Sequence, residues 1–514
     1  MREALLLMAS LPPLAAQNWT IYGANLSSQR YSPLRQINTV SVSRLAVTWA
    51  FQTEVPGQYE ATPLFEDGIL YFPTPGGHAY ALDARTGRTL WYYSRPIPEM
   101  QGLCCGQVNR GMAMAGDKLF MATIDAHLIA LDKKTGQLVW DSEMADYRDG
   151  YSATAAPLVI KDKVIVGIAG ADLGARGFID AYSVDTGKRA WRFWTIPARG
   201  QPGSETWAEA TAEIGGGSTW VTGSYDPQLN LIYWGVGNPA PALSGSGRPG
   251  ANLYTNCMVA INADTGKLKW YYQFTPHDTH DWDGVNEPIL ADLTIRGVPR
   301  KVLLHADRNG FLYALDRVEG KVIWGRPFVK TTWAEKLDDQ GIPIRVPGTD
   351  ATKEGAVACP QMSGGKNWNH AAFNPETNLV YVPSAEGCEI YYAIDEPREK
   401  GRLWMGGNDA AAPGSKWTGA LRAFDARDGK LVWEFKTITN HRGSVLTTGG
   451  GLVFTGDGQG YLTAFGARTG KVLWYFQTGA PGITAPPITY ELDGRQYIAV
   501  IAGTSVYAFA LQGQ

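Results

Sequence analysis

The chain has 514 residues and a formal net charge of −3, with 46 basic residues against 49 acidic ones. This balance lacks the positive charge of a nucleic-acid-binding protein, and a hydrophobic content of 44% exceeds that of a disordered chain. The 60 glycines, 18 tryptophans and 24 tyrosines indicate strands joined by tight turns rather than helices.

The first segment, residues 1–16 (MREALLLMASLPPLAA), has the pattern of a short export signal. An arginine is followed by an apolar run, and two alanines precede the polar Gln17. Glu3 and the bulky Leu14 depart from the usual pattern, so a start without a targeting role is the alternative. No other stretch approaches the roughly 20 apolar residues of a membrane span. We expect a periplasmic protein in which residues 17–514 form one domain.

A repeated pattern determines the predicted architecture. An alanine precedes a turn that often contains Asp and Thr-Gly, and a tryptophan follows ten residues after the alanine. Such repetition outweighs local propensities. The full copies end at Trp91, Trp140, Trp191, Trp270, Trp324, Trp433 and Trp474.

Each copy predicts two antiparallel strands of a four-stranded unit, joined by a tight turn and ending on a tryptophan that fills the space between sheets. Residues 42–49 contain the tryptophan strand without its turn, and residues 505–511 contain the preceding strand without its tryptophan. Paired, they complete an eighth unit. The sequence therefore predicts an all-β fold, an eight-bladed β-propeller whose ring is closed by the N- and C-terminal strands.

The most informative segment outside the repeats is PHDTHDWDGVN, residues 276–286. Asp281 and Asp283 are two positions apart, so in an extended stretch both carboxylates point to one side and can contact one cation. With this segment and the tryptophan repeat, nearly the whole chain resembles the soluble alcohol and methanol dehydrogenases that depend on pyrroloquinoline quinone (PQQ).

The resemblance implies a metal site made of hard oxygen donors. Asp281 matches the catalytic aspartate of the family, and Asp283 stands where lanthanide-type members carry Asp and calcium-type members generally do not. Asp172 in GADLGARG replaces the usual Glu, so the ion must shift, a water must bridge, or one oxygen binds. The implied ligands are Asp172, Asn238, Asp281 and Asp283.

The resemblance also implies a quinone pocket. Trp220 in GGGSTW matches the tryptophan beneath the cofactor ring, and Cys104 with Cys105 resembles the vicinal disulfide on its other face. Because neighbouring Cα atoms are only about 3.8 Å apart, two free thiols are the alternative. Cys359 and Cys388 resemble a structural disulfide. The other implied cofactor contacts are Glu60, Arg110, Thr154, Arg308, Asn367 and Trp368.

The implied function is oxidation of alcohols to aldehydes with PQQ and a metal Lewis acid, a lanthanide ion in the favoured hypothesis. Asp281 would take the hydroxyl proton, and Arg308 would stabilise charge on the quinone oxygens. The sequence has no C-x-x-C-H haem motif, so we expect a periplasmic cytochrome c as electron acceptor. The family implies a homodimer. Two alternatives are the same enzyme with Ca²⁺ and a non-enzymatic envelope propeller.

Overall fold

Each predicted repeat forms the last two strands of a four-stranded antiparallel sheet. The computed structural model describes residues 17–100, 102–208, 215–439 and 443–513, so the predicted export signal lies outside the described residues. Within these ranges the helical elements are the three-residue 3-10 turns Val42–Arg44, Tyr147–Asp149, Ala171–Leu173 and Ser204–Thr206. In the described part of the chain, no helix is both long and apolar enough to cross a membrane. The all-β prediction is confirmed.

Sheets 1 to 5 each consist of four consecutive strands. Their strands are, sheet by sheet, Leu64–Glu66, Ile69–Thr74, His78–Asp83 and Thr89–Ser94; Ala113–Ala115, Lys118–Thr123, His127–Asp132 and Leu138–Glu143; Leu158–Ile160, Lys163–Gly167, Phe178–Ser183 and Arg189–Trp194; Ser224–Asp226, Leu231–Gly235, Cys257–Asn262 and Leu268–Gln273; Ile289–Ile295, Val298–Ala306, Phe311–Asp316 and Val322–Pro327.

Sheets 6 to 8 follow the same plan with additions. Sheet 7 also pairs in parallel with Tyr31–Ser32, and sheet 8 takes its outer strand, Leu45–Gln52, from the beginning of the chain. The remaining strands of these sheets are Ala372–Asn374, Leu379–Glu386, Thr418–Asp425 and Leu431–Thr437; Val445–Thr448, Leu452–Gly456, Tyr461–Gly466 and Val472–Gln477; Ile488–Leu492, Arg495–Ala502 and Ser505–Leu511.

The long gap between Trp324 and Trp433 holds two small sheets. One pairs Ala334–Leu337 with Pro343–Arg345, and the other has strands Ala356–Ala358, Glu389–Ala393 and Gly407–Ala411. The predicted disulfide between Cys359 and Cys388 is present beside the second sheet. The disulfide therefore links two neighbouring strands of this small sheet.

The repeat tryptophans lie between successive sheets. Seven of the eight, Trp49 included and Trp324 excepted, donate their indole N–H to a main-chain oxygen of the next sheet at 2.9–3.2 Å. Trp474 of sheet 7 donates to Leu45 of sheet 8, and Trp49 of sheet 8 donates to Ala84 of sheet 1. Gly87 has φ +73°, and a Cβ there would lie 2.6 Å from the Trp49 ring, so the turn requires glycine. The turn and the tryptophan thus form one interlocking contact between sheets.

Candidate active site

The predicted site residues come from loops at one end of the sheets. Glu60, Arg110, Thr154 and Trp220 each precede the first strand of sheets 1 to 4 by three or four residues. Asp281, Asp283, Asn367 and Trp368 occupy the equivalent loops before sheets 5 and 6, while Asp172, Asn238 and Arg308 follow second strands. In an antiparallel sheet the start of one strand and the end of its neighbour lie at the same edge. The repeat therefore brings distant residues together.

These loops enclose a cavity of about 390 Å³. All predicted site residues line the cavity except Asn238, whose main-chain N–H donates to Asp283 Oδ1 at 2.9 Å. The Asn238 amide nitrogen donates to the Pro239 carbonyl at 3.1 Å, so the amide oxygen is the atom left for a cation. Asn238 therefore lies next to the cavity lining and holds Asp283, which is part of that lining.

Asp283 is buried and held in position by three donors. Besides the Asn238 N–H, Trp220 Nε1 donates to Oδ2 at 3.1 Å, and Arg308 Nη2 lies 3.2 Å from the same oxygen. Burial raises the pKa of Asp283 to about 6, although Arg308 acts in the opposite direction. Gly237 permits this arrangement, because a Cβ there would lie 2.2 Å from Asp283 Oδ1.

Asp281 has a left-handed backbone conformation with φ +62°. Arg308 Nη1 donates to its main-chain oxygen at 2.7 Å and lies 3.6 Å from Oδ2. The buried Oδ1 atom has no hydrogen-bond partner among the described residues. Burial raises the pKa of Asp281 well above its ordinary value, with Arg308 opposing the shift. A positively charged ligand would relieve both the unpaired oxygen and the unfavourable ionisation.

Asp172 lies in the 3-10 turn Ala171–Leu173, which Gly170 and Gly174 bound with φ +122° and +72°. Burial raises the pKa of the Asp172 carboxyl, and a hydrogen bond with the Cys104 thiol works against this. In the described part of the chain, no three His, Cys, Asp or Glu side chains form a closed metal-ligand group. The aspartates therefore surround the cavity without closing on one point, and their donor set fits a hard cation that also takes oxygen from a second ligand.

Next to the aspartates, the cavity wall is aromatic and carries arginines. The Arg110 guanidinium carbon lies 4.5 Å from the Trp220 ring centroid and 5.4 Å from that of Trp368. Arg110 also pairs with Glu60 at 2.8 Å and donates to Thr154 Oγ1 at 2.6 Å. A flat ring flanked by arginines is suited to a planar anion.

Asn367 joins this wall to Arg308. Its side-chain oxygen accepts from Arg308 Nη2 at 3.3 Å and from the Trp368 N–H at 2.8 Å. The same guanidinium therefore contacts two of the three cavity aspartates, Asp281 and Asp283, and the loop that carries Trp368.

The vicinal disulfide is a prediction that the structure corrects. Cys104 and Cys105 are free thiols with their sulfurs 2.7 Å apart, beyond the roughly 2.05 Å of a disulfide. The short spacing of neighbouring Cα atoms disfavours the bond, in agreement with the alternative of two free thiols. The hydrogen bond with Cys104 lowers the pKa of the Cys105 thiol. Both thiols line the cavity as predicted.

Sequence reasoning missed a buried ion pair at the cavity wall, formed by Lys366 and Glu287. Lys366 lines the cavity, and its Nζ atom lies 2.9 Å from Glu287 Oε2 and 3.1 Å from the Asn367 main-chain oxygen. Burial would raise the pKa of Glu287, but Lys366 and hydrogen bonding bring it down to about 2. The position of Lys366 directly before Asn367 in GGKNW could have indicated that Lys366 lies at the cavity. Nothing in the sequence indicated its contact with Glu287.

Comparison with known proteins identifies the family. Residues 19–335 match the family model "Glucose/ethanol/alcohol dehydrogenase, beta-propeller domain", and residues 418–513 match that of outer membrane protein assembly factor BamB. The chain is 40% identical over 518 residues to quinoprotein alcohol dehydrogenase PedH of Pseudomonas putida, across 96% of this chain and 87% of that protein. It belongs to the PQQ-dependent alcohol dehydrogenase family.

Two further relatives bear on the metal. The chain is 38% identical over 518 residues to the lanthanide-dependent methanol dehydrogenase of Methylacidiphilum fumariolicum, across 94% of this chain and 84% of that protein. The structure of this chain is similar to that of a europium-containing methanol dehydrogenase, with a TM-score of 0.91 and 35% identity, across 96% of this chain and 98% of that chain. The predicted family and the assignment as an enzyme are confirmed, and the fold contains the family's β-propeller domain.

Proposed function

We propose that this quinoprotein oxidises primary alcohols to aldehydes with a lanthanide ion as its metal. The observation that carries the proposal is the position of two adjacent carboxylates, Asp281 and Asp283, in the wall of a cavity that Trp220 also lines. Asp283 is already oriented by three donors, so it can present an anionic oxygen without rearrangement. A trivalent ion gains more from this additional carboxylate than a divalent one does.

The proposed metal ligands are Asp172, Asn238, Asp281 and Asp283. The raised pKa values of the three aspartates support this set, because a bound cation stabilises the ionised form that burial disfavours. The proposed cofactor contacts are Glu60, Cys104, Cys105, Arg110, Thr154, Trp220, Arg308, Asn367 and Trp368.

The proposed roles of the chain's own groups follow from their contacts. PQQ, when bound, supplies the two-electron oxidation. Asp281 accepts the proton of the alcohol hydroxyl through its unpartnered Oδ1 atom. Arg308 holds the Asp281 backbone and provides a positive charge for developing negative charge in the cavity. Trp220 and the exposed thiols of Cys104 and Cys105 line the reacting region.

We also infer that residues 17–514 form one closed ring of eight blades. The inference is supported by the tryptophan contacts that lead from sheet 7 through sheet 8 to sheet 1, and by the pairing of Leu45–Gln52 with Ser505–Leu511. Export to the periplasm, electron transfer to a periplasmic cytochrome c and a homodimer complete the proposal. These three parts rest on residues 1–16, the absence of a haem motif and the family, respectively.

The decisive experiment reconstitutes metal-free protein with PQQ and either La³⁺ or Ca²⁺, then measures dye-linked alcohol oxidation. We expect La³⁺ to restore activity. In Asp283→Ala, we expect La³⁺-supported kcat to fall about 100-fold or more, while quenching of tryptophan fluorescence by PQQ changes less.

The matched control is Asp117→Ala, an exposed aspartate outside the cavity, which should leave both measurements unchanged. Activity restored by Ca²⁺ alone would replace the lanthanide hypothesis with the calcium one. Failure to bind PQQ with either metal would contradict an enzymatic role altogether.

A further inference from the structure

Beside the cavity lies a recess lined by three leucines from separate segments. Leu103 precedes the two thiols, Leu173 belongs to the 3-10 turn of Asp172, and Leu403 comes from the insertion before sheet 6's third strand. Leu103, Leu173 and Cys104 line both the recess and the main cavity, so the two spaces adjoin. We refer to Leu103, Leu173 and Leu403 as the leucine mouth.

Leu403 is a large apolar side chain that remains 61% exposed at this mouth. Its backbone is nevertheless held in place, because the main-chain N–H of Trp404 donates to the Asp172 carbonyl at 2.6 Å. Trp404 Nε1 donates to the Glu396 carbonyl at 3.0 Å, and the Gly406 N–H donates to the Glu396 carboxylate at 2.9 Å. The exposed leucine is therefore anchored to the same turn that carries a proposed metal ligand.

An anchored, solvent-exposed leucine beside a reactive cavity gains free energy when an apolar group covers it. The charged side chain in the lining of the recess, Arg402, is solvent-exposed and lies 3.1 Å from Glu399. The three leucines favour a hydrocarbon as the group that covers them.

We propose that the leucine mouth binds the hydrocarbon tail of a primary alcohol, and that Leu403 determines specificity for tails of several carbons over methanol. The proposal rests on the proposed alcohol oxidation, with the hydroxyl end at Asp281 and the tail among the leucines. Each methylene buried in the mouth should raise kcat/KM about fourfold, until the tail extends beyond Leu403.

The test measures kcat/KM for methanol, ethanol, 1-butanol and 1-hexanol in PQQ- and metal-loaded enzyme. For the unaltered protein we expect a rise from methanol to 1-hexanol. In Leu403→Asn, kcat/KM for 1-hexanol should fall about tenfold while that for ethanol stays within twofold. The inhibition constants of tertiary alcohols of matched length, which have no hydrogen to lose at the carbinol carbon, should change in parallel.

Leu431→Asn is the matched control, since Leu431 is similarly exposed on the outer strand of sheet 6 and lines neither space. An unchanged chain-length series in Leu403→Asn would overturn the proposal, as would equal losses for ethanol and 1-hexanol. Preference for ω-hydroxy acids over 1-hexanol would also overturn it. Absence of oxidation for every alcohol would instead contradict the proposed function.

Discussion

Two buried groups of charges lie beside the same cavity, and they differ in how their charges are compensated. On one side, Asp281 and Asp283 share a single guanidinium, that of Arg308, at 3.6 and 3.2 Å. On the other side, Glu287 has Lys366 to itself at 2.9 Å and accepts the Ala371 N–H at 2.6 Å. Burial penalises both groups, but the pKa of Asp283 is raised to about 6 while that of Glu287 is lowered to about 2.

The contrast shows that the ratio of buried carboxylates to cations, rather than burial, separates a binding group from a structural one: two aspartates share Arg308, whereas Glu287 has Lys366 to itself. His370 is neutral near pH 7, because burial lowers its pKa to about 3, so Lys366 supplies the compensating charge for Glu287. The Lys366–Glu287 pair is complete in the protein alone. The aspartate side retains unneutralised carboxyls, and a cation is the ligand that would complete it.

Breaking the complete pair should have the largest effect. Lys366→Met leaves the Glu287 carboxylate buried without its counter-charge, so we expect the free energy of unfolding of the metal-free protein to fall by about 3–5 kcal/mol in urea titrations. The double variant Lys366→Met/Glu287→Gln should recover most of the loss, because no buried charge remains. A double variant as unstable as the single one would contradict the role assigned to the pair.

The aspartates that share Arg308 should make the stability of the metal-free protein depend on pH. Because the folded-state pKa of Asp283 lies above its ordinary 3.8, its stabilising contribution is complete below that value and is lost as the pH rises to about 6. In urea unfolding of the metal-free proteins, the free energy of unfolding of Asp283→Asn should rise relative to that of the unaltered protein between pH 4 and 6, by about 2–3 kcal/mol. Thermal unfolding should show the same trend.

The sign is opposite for Glu287, whose lowered pKa gives stability that is present above pH 4.5 and lost towards pH 2. Adding La³⁺ to the unaltered protein should remove this difference in the free energy of unfolding, because the bound cation stabilises the ionised Asp283 carboxylate. A difference that stays constant from pH 4 to 7 would show that Asp283 carries no such shift.

A solvent-exposed ion pair should have the smallest effect on stability. Arg85 Nε lies 2.7 Å from Asp493 Oδ2 between sheets 1 and 8, with the two side chains 50% and 64% exposed. Solvent screens such a pair, so Arg85→Ala should leave the thermal midpoint unchanged within error. A decrease similar to that of Lys366→Met would mean that contact between these sheets depends on surface charge.

Most of the fold followed from a local signal that recurs. The tryptophan spacing predicted the hairpins, and the incomplete units at the two ends predicted the pairing of Leu45–Gln52 with Ser505–Leu511. The cavity residues could be predicted because the family motifs lie next to strand boundaries of this repeat. The export signal, the single-domain boundary and the metal ligands stay predictions.

The sequence by itself determined the all-β repeat, the tryptophans between sheets and the loops that carry Asp281, Asp283 and Trp220. These features depend on residues close together in the chain, where spacing specifies geometry. Only the tertiary structure decided that Lys366 contacts Glu287, that the Asn238 main-chain N–H holds Asp283, and that three distant leucines lie together. Such contacts join loops tens to hundreds of residues apart, and their energies depend on burial and on the number of partners, which linear order does not contain.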